Sequence, residues 1–147
     1  MSGEDSGCYC LILKCKCERA IRVGSFGTWS FPAGVYVYTG SAQAGLEARL
    51  ARHERRLKKS HWHIDYLRRF CNVAGIATFK GSNREECRIA GRVAQRGERY
   101  PANFGASDCR CGGHLVRFDS VSSAMAAVRA AGKMMLLQCA GTQEDQQ

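Results

Sequence analysis

Long apolar runs are absent from this sequence. No stretch approaches the roughly 20 residues that a membrane-spanning helix needs, and the polar start, residues 1–6, lacks the basic-then-apolar order of a secretory signal. Internal repeats and low-complexity tracts are absent as well. We therefore expect a cytoplasmic protein that has no membrane partner.

Acidic residues are scarce relative to basic ones. The chain has 22 Lys and Arg against 13 Asp and Glu, a formal net charge of +9. Such an excess is typical of proteins that bind nucleic acid or an anionic membrane surface, although a basic surface that only confers solubility has the same composition. Because the 147 residues are 45% hydrophobic, they suffice for one core. We expect a single domain over residues 1–140 and a disordered tail at 141–147.

Cysteine is abundant, with nine residues in the chain. Small secreted proteins use such numbers as a disulfide framework, but the count is odd, the sequence shows no export signal, and a chain of this length needs no covalent staples. We therefore expect all nine thiols to be reduced, with buried thiols at the closely spaced pairs Cys8 and Cys10, and Cys15 and Cys17.

Hydrophobic periodicity predicts an α/β (α+β) domain, a small central mixed or antiparallel sheet flanked by helices. The predicted strands are 8–14, 20–23, 35–38, 72–79, 115–118 and 134–138. The predicted helices are 46–59, 61–70, a helix that the capping box Ser82–Glu85 opens and that ends near Arg96, and 121–131. Alternation in the first strand places Tyr9 and Leu11 on the face opposite Cys8 and Cys10, and helical spacing directs His53 to the core.

Basic residues concentrate on the first predicted helix and just after it. Arg52, Arg55, Arg56, Lys58 and Lys59 are the residues that we expect to bind nucleic acid, and Arg68 and Arg69 continue the stretch. Such side chains contact phosphates without reading base sequence. The alternative is a solvated helix face, but few acids are available here for ion pairs.

Four features occur in a fixed order along the chain. Gly7-Cys8-Tyr9 begins the first strand, Tyr38-Thr39-Gly40 ends a later one, Arg49 and His53 follow on a helix, and Glu86 comes near the start of a downstream helix. In this order they resemble the GIY-YIG nuclease superfamily. The aliphatic position of its first tripeptide is Cys8 here, and the excursion from Gly24 to Gly34 lengthens the gap between the two tripeptides.

Further segments resemble one subfamily, called domain of unknown function 123. They are 31–34, 36–42, 61–67 and 104–115, and the resemblance covers roughly residues 7–118. Members occur alone or fused to a DNA-repair glycosylase of the endonuclease III type. The resemblance thus implies a nuclease that acts on DNA rather than RNA, with a DNA-repair protein as an expected partner.

The resemblance also implies roles for individual residues. Tyr9 or Tyr38 serves as general base or orients the water, and Glu86 binds one divalent ion, Mg²⁺ or Mn²⁺, whose preference for carboxylate oxygen supports this assignment. The guanidinium of Arg49 has several N–H donors in one plane, which can bind a phosphate in the transition state. His53 lies one helical turn away, so both side chains can contact the same phosphate. Each residue also has a simpler interpretation as a packing aromatic, a core histidine, a solvated arginine or part of a helix cap.

A second metal site is conceivable on the glycine-rich loop. Cys109, Cys111 and His114 have a spacing and a donor chemistry that suit structural Zn²⁺. These are only three ligands, so His61, His63 or Cys71 would have to provide the fourth. His61, His63 and Asp65 cannot converge on one ion from a helix, and we expect Asp65 to orient His61 or to pack beside the first helix.

The basic composition and the family resemblance together therefore predict a metal-dependent DNA endonuclease that hydrolyses phosphodiester bonds, either structure-selective or linked to repair. Two alternatives stay open at this point. One is a nucleic-acid-binding module that has the same fold without turnover, and the other is a zinc-stabilised interaction protein. A divalent ion at Glu86 distinguishes the first from the enzyme, and zinc at Cys109, Cys111 and His114 identifies the second.

Overall fold

The protein is described here from a computed structural model, which covers residues 7–42, 45–55, 63–79, 85–105 and 112–139. The strands are β1 (Gly7–Cys15), β2 (Arg19–Arg22), β3 (Thr28–Phe31), β4 (Gly34–Ala42), β5 (Asn72–Phe79), β6 (Glu98–Arg99), β7 (Leu115–Phe118) and β8 (Met134–Cys139). The helices are α1 (Leu46–Glu54), α2 (His63–Arg68), α3 (Glu86–Ala94) and α4 (Val121–Ala131). The predicted tail at 141–147 lies outside the described residues.

An antiparallel sheet organises these elements. Six strands run in the order β6-β7-β4-β1-β5-β8, with β1 between β4 and β5. Every strand pairing in it is antiparallel, and β2 and β3 form a separate hairpin. The predicted α/β class is thereby confirmed, and of the two sheet types that the sequence left open the protein has the antiparallel one.

The central strand β1 is buried on both faces. Cys8, Cys10 and Ile12 belong to a core layer that also contains side chains of α3 and α4. Tyr9, Leu11 and Leu13 belong to the second layer, with side chains of the hairpin, α1 and α2. The predicted alternation is confirmed, and Cys8 acts as a small apolar core residue because it is fully buried.

Several element bounds agree with the prediction, and α1 does not. Strands β5 and β7 and helix α4 have the predicted bounds. The predicted first helix, 46–59, is wrong at its end, because α1 stops at Glu54 and Arg55 is extended with φ −79° and ψ 127°. The third helix starts at Glu86 after Glu85, whose carboxylate pairs with Arg88. Ser82, the first residue of the predicted capping box, lies outside the described residues.

The end of α1 is capped by a buried arginine. Arg68 Nε donates to the His53 carbonyl oxygen at 2.9 Å, and its Nη2 donates to the Glu54 carbonyl oxygen at 2.8 Å. Its Nη1 donates to the Cys71 carbonyl oxygen at 2.7 Å. A cation at a helix C-terminus satisfies the last carbonyls and stabilises the helix dipole. Arg68 therefore has a structural role, which differs from the predicted phosphate contact.

The prediction that all thiols are reduced is wrong for one pair. Cys15 and Cys71 form a disulfide that joins the end of β1 to the segment between α2 and β5. Spacing alone did not reveal it, because the two residues are 56 positions apart and only the pairing of β1 with β5 brings them together. Cys8, Cys10, Cys17 and Cys87 are reduced thiols; Cys8 and Cys10 are buried as predicted, whereas the predicted burial of Cys17 is wrong, since it is exposed.

Among the described residues, no helix is long and apolar enough to cross a membrane. This finding agrees with the absence of long apolar runs from the sequence.

Replacing Cys71 with serine should destabilise the oxidised protein. A disulfide that closes a loop of this length lowers the entropy of the unfolded chain. Removing it lowers the free energy of unfolding by up to about 4 kcal/mol. Urea unfolding with and without dithiothreitol measures the effect. We expect reductant to lower the midpoint of the wild type to that of Cys71→Ser and to leave the variant unchanged. A wild-type midpoint that reductant does not move would contradict the disulfide.

Candidate active site

The two tripeptides meet across neighbouring strands. Tyr9 of β1 lies opposite Gly40 of β4 in the antiparallel register. The Tyr9 ring lies so close to Gly40 that a Cβ atom there would be 2.5 Å from the Tyr9 Oη and 2.6 Å from its Cζ. Only glycine leaves room for this arrangement. The glycine of the second tripeptide is therefore a steric requirement of the tyrosine of the first.

A buried histidine bonds to the same tyrosine. Tyr9 Oη and His53 Nε2 are 2.6 Å apart, and His53 is fully buried. The Tyr38 ring lies 6.4 Å from the Tyr9 ring and 6.2 Å from the His53 ring, measured between centroids. The predicted core-facing position of His53 is confirmed, and Tyr9, Tyr38 and His53 form one cluster of rings.

Ser41 links two further predicted residues. Arg49, one helical turn before His53, donates from Nη1 to the Ser41 carbonyl oxygen. The Ser41 hydroxyl donates to Glu86 Oε1 at 2.5 Å. Because Ser41 directly follows Gly40, this bridge places Arg49 and Glu86 beside the ring cluster. Tyr9, Tyr38, Arg49, His53 and Glu86, predicted from separate parts of the chain, thus lie together.

His114 holds the other oxygen of Glu86. Its Nδ1 is 2.7 Å from Glu86 Oε2, and the histidine is 3% exposed. Its Nε2 is 3.6 Å from Cys87 Sγ. The candidate zinc ligand His114 therefore contacts Glu86 and Cys87, whereas Cys109 and Cys111 lie outside the described residues.

The pKa of Glu86 is lowered, although burial alone would raise it. Hydrogen bonds from His114 and Ser41 and the charge of Arg49 favour the carboxylate and outweigh the burial. Glu86 is consequently ionised at neutral pH.

The net pKa shift of the two tyrosines is opposite to that of Glu86, because burial is the largest contribution to it. Burial raises the pKa of Tyr9 well above its usual range, and Tyr38 raises it further, against the opposing effect of Arg49. The pKa of Tyr38 is also raised, by burial first and then by Glu86 and Asp65. Both side chains are therefore neutral phenols at neutral pH.

Glu86 could hold a hard divalent ion that takes few protein ligands. It is ionised and its side chain is 21% exposed, although its two oxygens contact Ser41 and His114. Within the part of the chain that the structure describes, no group of three or more His, Cys, Asp or Glu is arranged to hold a metal. Mg²⁺ and Mn²⁺ tolerate such a set because water and substrate phosphate complete their shell.

The other candidate metal ligands have different partners. Cys71 cannot be a zinc ligand, because it is bonded to Cys15. His63 Nδ1 accepts a hydrogen bond from the Gly105 backbone N–H at 2.8 Å, and burial lowers the pKa of His63. His61 lies outside the described residues.

Asp65 has a partner that the sequence did not suggest. Both of its oxygens accept hydrogen bonds from Arg52, at 2.9 and 3.0 Å, and its side chain is fully buried. Arg52 therefore joins α1 to α2.

Of the other residues predicted to bind nucleic acid, Arg55 is exposed. Arg56, Lys58 and Lys59 lie outside the described residues.

Ser41 was not among the site residues predicted from the sequence, and His114 was predicted only as a zinc ligand. Ser41, which follows the second tripeptide, belongs to no helical periodicity and to no spacing that is typical of metal ligands. The signal for His114 was its place in Gly112-Gly113-His114, where both glycines have positive φ values of 95° and 125°. Backbone of this conformation turns sharply, and after this turn the His114 side chain contacts Glu86.

Comparison with known families gives one match. Residues 8–137 match the family described as Domain of unknown function DUF123. The chain belongs to this family. No curated protein and no solved structure matches the DUF123 chain.

Replacing Gly40 with alanine should destabilise the DUF123 domain. The added methyl group would overlap the Tyr9 hydroxyl, and overpacking of this kind costs about 1–3 kcal/mol. Urea unfolding of Gly40→Ala, Tyr9→Leu and the double variant measures the coupling between the two sites. We expect the alanine to cost much less when Tyr9 is already leucine. Equal costs in both backgrounds would show that the ring does not press on Gly40.

Glu86 should contribute stability that disappears in acid. Its pKa is lower in the folded protein, so the contribution is present above the unfolded pKa and is lost as pH falls through the folded pKa. We expect the stability difference between wild type and Glu86→Gln to shrink below about pH 4.5, measured by urea unfolding between about pH 7 and about pH 3. Glu85→Gln is the matched control. A difference that stays constant over this range would refute the lowered pKa.

Proposed function

We propose that this DUF123 domain is a GIY-YIG-type, metal-dependent endonuclease that hydrolyses phosphodiester bonds in DNA. The observation that supports it is the convergence of Tyr9, Tyr38, Arg49, His53 and Glu86 into one contact network from β1, β4, α1 and α3. These residue types supply a proton acceptor, a phosphate clamp and a carboxylate, the three groups that phosphodiester hydrolysis needs.

Water activation is assigned to the Tyr9 and His53 pair. A neutral phenol cannot by itself take a proton from water, and burial keeps Tyr9 neutral. His53 Nε2, at 2.6 Å from the Tyr9 oxygen, can accept the phenolic proton while that oxygen takes one from the water. The net result is hydroxide at the phosphorus and a protonated His53. Tyr38 packs against both rings and orients them.

Arg49 stabilises the developing charge on the phosphate. A guanidinium carries several N–H donors in a plane, so it can hold the Ser41 carbonyl oxygen and a phosphate oxygen together. The contact with Ser41 restricts the side chain before substrate arrives, and this lowers the cost of ordering it in the transition state.

Glu86 would hold the divalent ion, Mg²⁺ or Mn²⁺, beside Arg49. The bound ion would supply positive charge for the phosphate oxygens and for the leaving group. Ser41 and His114 fix the orientation of the carboxylate, as hydrogen-bonded neighbours of metal ligands commonly do.

DNA is the proposed substrate, and a DNA-repair protein the proposed partner, in a cytoplasmic setting. The charge of +9 favours a polyanion, and the resemblance to the superfamily favours DNA over RNA. Arg55 supports this proposal because it is exposed at the end of α1, the helix that carries Arg49 and His53.

One observation favours a second candidate, a nucleic-acid-binding module without turnover. Both oxygens of Glu86 already have protein partners, Ser41 and His114, so its charge is balanced by the protein itself. The zinc-stabilised interaction protein depends on Cys109 and Cys111, which lie outside the described residues.

Cleavage assays with labelled flap, abasic and plain duplex DNA, and with matching RNA, test the proposed function. We expect cutting that requires Mg²⁺ or Mn²⁺ and that falls by at least about 100-fold in Glu86→Ala and in Arg49→Ala. Glu85→Ala and Arg129→Ala are the matched controls, because Glu85 precedes the site residue and Arg129 is exposed on α4 across the sheet. Salt-sensitive binding without cutting, unchanged by Glu86→Ala, would instead establish the binding module.

A further inference from the structure

Phe70 is the large hydrophobic side chain that the described part of the chain leaves exposed, at 46%. It follows α2 and precedes Cys71, the residue that the disulfide joins to β1. The guanidinium carbon of Arg19 lies 4.7 Å from the centre of the Phe70 ring. An arginine from β2 thus covers part of an aromatic face that the core does not use.

A second pair of the same kind joins Tyr66 of α2 to Arg69, the residue that follows the helix. The guanidinium carbon of Arg69 is 5.9 Å from the centre of the Tyr66 ring. The Tyr66 hydroxyl lies against Gly24, 3.0 Å from where a Cβ would stand, so the ring packs on the turn after β2. Two arginine and aromatic pairs are therefore found where the end of α2 meets the hairpin.

A further arginine is brought close by the cap on α1. Arg68 binds the carbonyl oxygens of both Glu54 and Cys71, which places the end of α1 beside Phe70. Arg55, the next residue, is exposed. Arg19 and Arg69 are exposed too, so the arginines outnumber the neighbouring acids Glu18 and Glu54. We call the group Arg19, Arg55, Tyr66, Arg69 and Phe70 the aromatic–arginine surface.

We propose that the aromatic–arginine surface binds unpaired nucleotides of the nucleic-acid substrate. Unpaired bases stack on aromatic rings while arginines contact the phosphates between them, and this combination marks single-strand binding sites. A base can take the position of the Arg19 guanidinium over Phe70, because Arg19 is an exposed side chain on a hairpin. Paired bases offer no free face to the ring, so duplex gains only the phosphate contacts. The proposal rests on nucleic acid being the substrate, and it does not require cleavage.

The aromatic–arginine surface adjoins the candidate active site. Arg68 donates to the carbonyl oxygens of both His53 and Cys71, and Cys71 follows Phe70. One nucleic-acid strand can therefore run from the proposed cleavage site onto this surface. The substrate class that fits is duplex with an unpaired extension.

Binding of labelled oligothymidylate, measured by fluorescence anisotropy in EDTA with the full chain, tests the proposal. We expect Phe70→Leu, which keeps an apolar side chain but removes the ring, to weaken this binding about ten-fold. The affinity for duplex DNA should change less than about two-fold, and Phe70→Trp should bind the single strand as well as the wild type does. Phe70→Leu should weaken the binding of oligouridylate to the same extent, because the ring is expected to stack on the base and not on the sugar.

Salt dependence separates the arginine contacts from the ring. Arg69→Ala should lower the slope of log affinity against log salt by about 0.7 for the single strand. Arg129→Ala, on α4 across the sheet, should leave the slope unchanged.

Two outcomes overturn the proposal, and they differ in what else they affect. Equal weakening of single-strand and duplex binding by Phe70→Leu, or no weakening at all, refutes single-strand recognition and leaves the proposed nuclease intact. A wild-type protein that binds neither nucleic acid refutes the proposed function as well.

Discussion

The close approach of the Tyr9 ring to Gly40 is the contact around which the candidate site is arranged. Directly opposite residues of adjacent strands share one face of the sheet and normally pack side by side, and here the Tyr9 ring occupies the space above Gly40, which has no side chain. This position brings the hydroxyl to His53 and leaves Ser41, the next residue, to meet Arg49 and Glu86. A larger residue at position 40 would displace the Tyr9 ring and with it the hydroxyl that bonds to His53.

Helix α1 carries Arg49 and His53, and α2 is what holds it in place. Arg52 forms a bidentate ion pair with the buried Asp65, and Arg68 binds the last carbonyl oxygens of α1. Buried ion pairs are costly unless their hydrogen bonds are satisfied, and both arginines satisfy theirs through acceptors on the neighbouring segment. Arg52 and Arg68, which the sequence suggested as phosphate-binding residues, thus position the helix that carries the site.

Burial raises the pKa of all three neighbouring acids, and their different partners make the net shifts opposite. Tyr9 and Tyr38 stay protonated, since an apolar core layer surrounds them and Glu86 lies nearby. Glu86 loses its proton readily, since His114, Ser41 and Arg49 all stabilise the carboxylate. One contact network therefore contains a fixed negative charge next to neutral phenols.

The sequence by itself determined the α/β class, the two faces of β1 and the bounds of β5, β7 and α4. It also predicted Tyr9, Tyr38, Arg49, His53 and Glu86 as site residues, and these side chains lie together. Periodicity and spacing indicate which residues share a face of one helix or strand. The order of the motifs, through the family resemblance, indicated the site residues. The sequence did not determine the end of α1, the Cys15–Cys71 disulfide, the partner of Asp65 or the clamp of Ser41 and His114 on Glu86. Each of these depends on contacts between residues far apart in the chain. Only the pairing of β1 with β4 and β5, and the packing of the helices on that sheet, brings such residues within bonding distance.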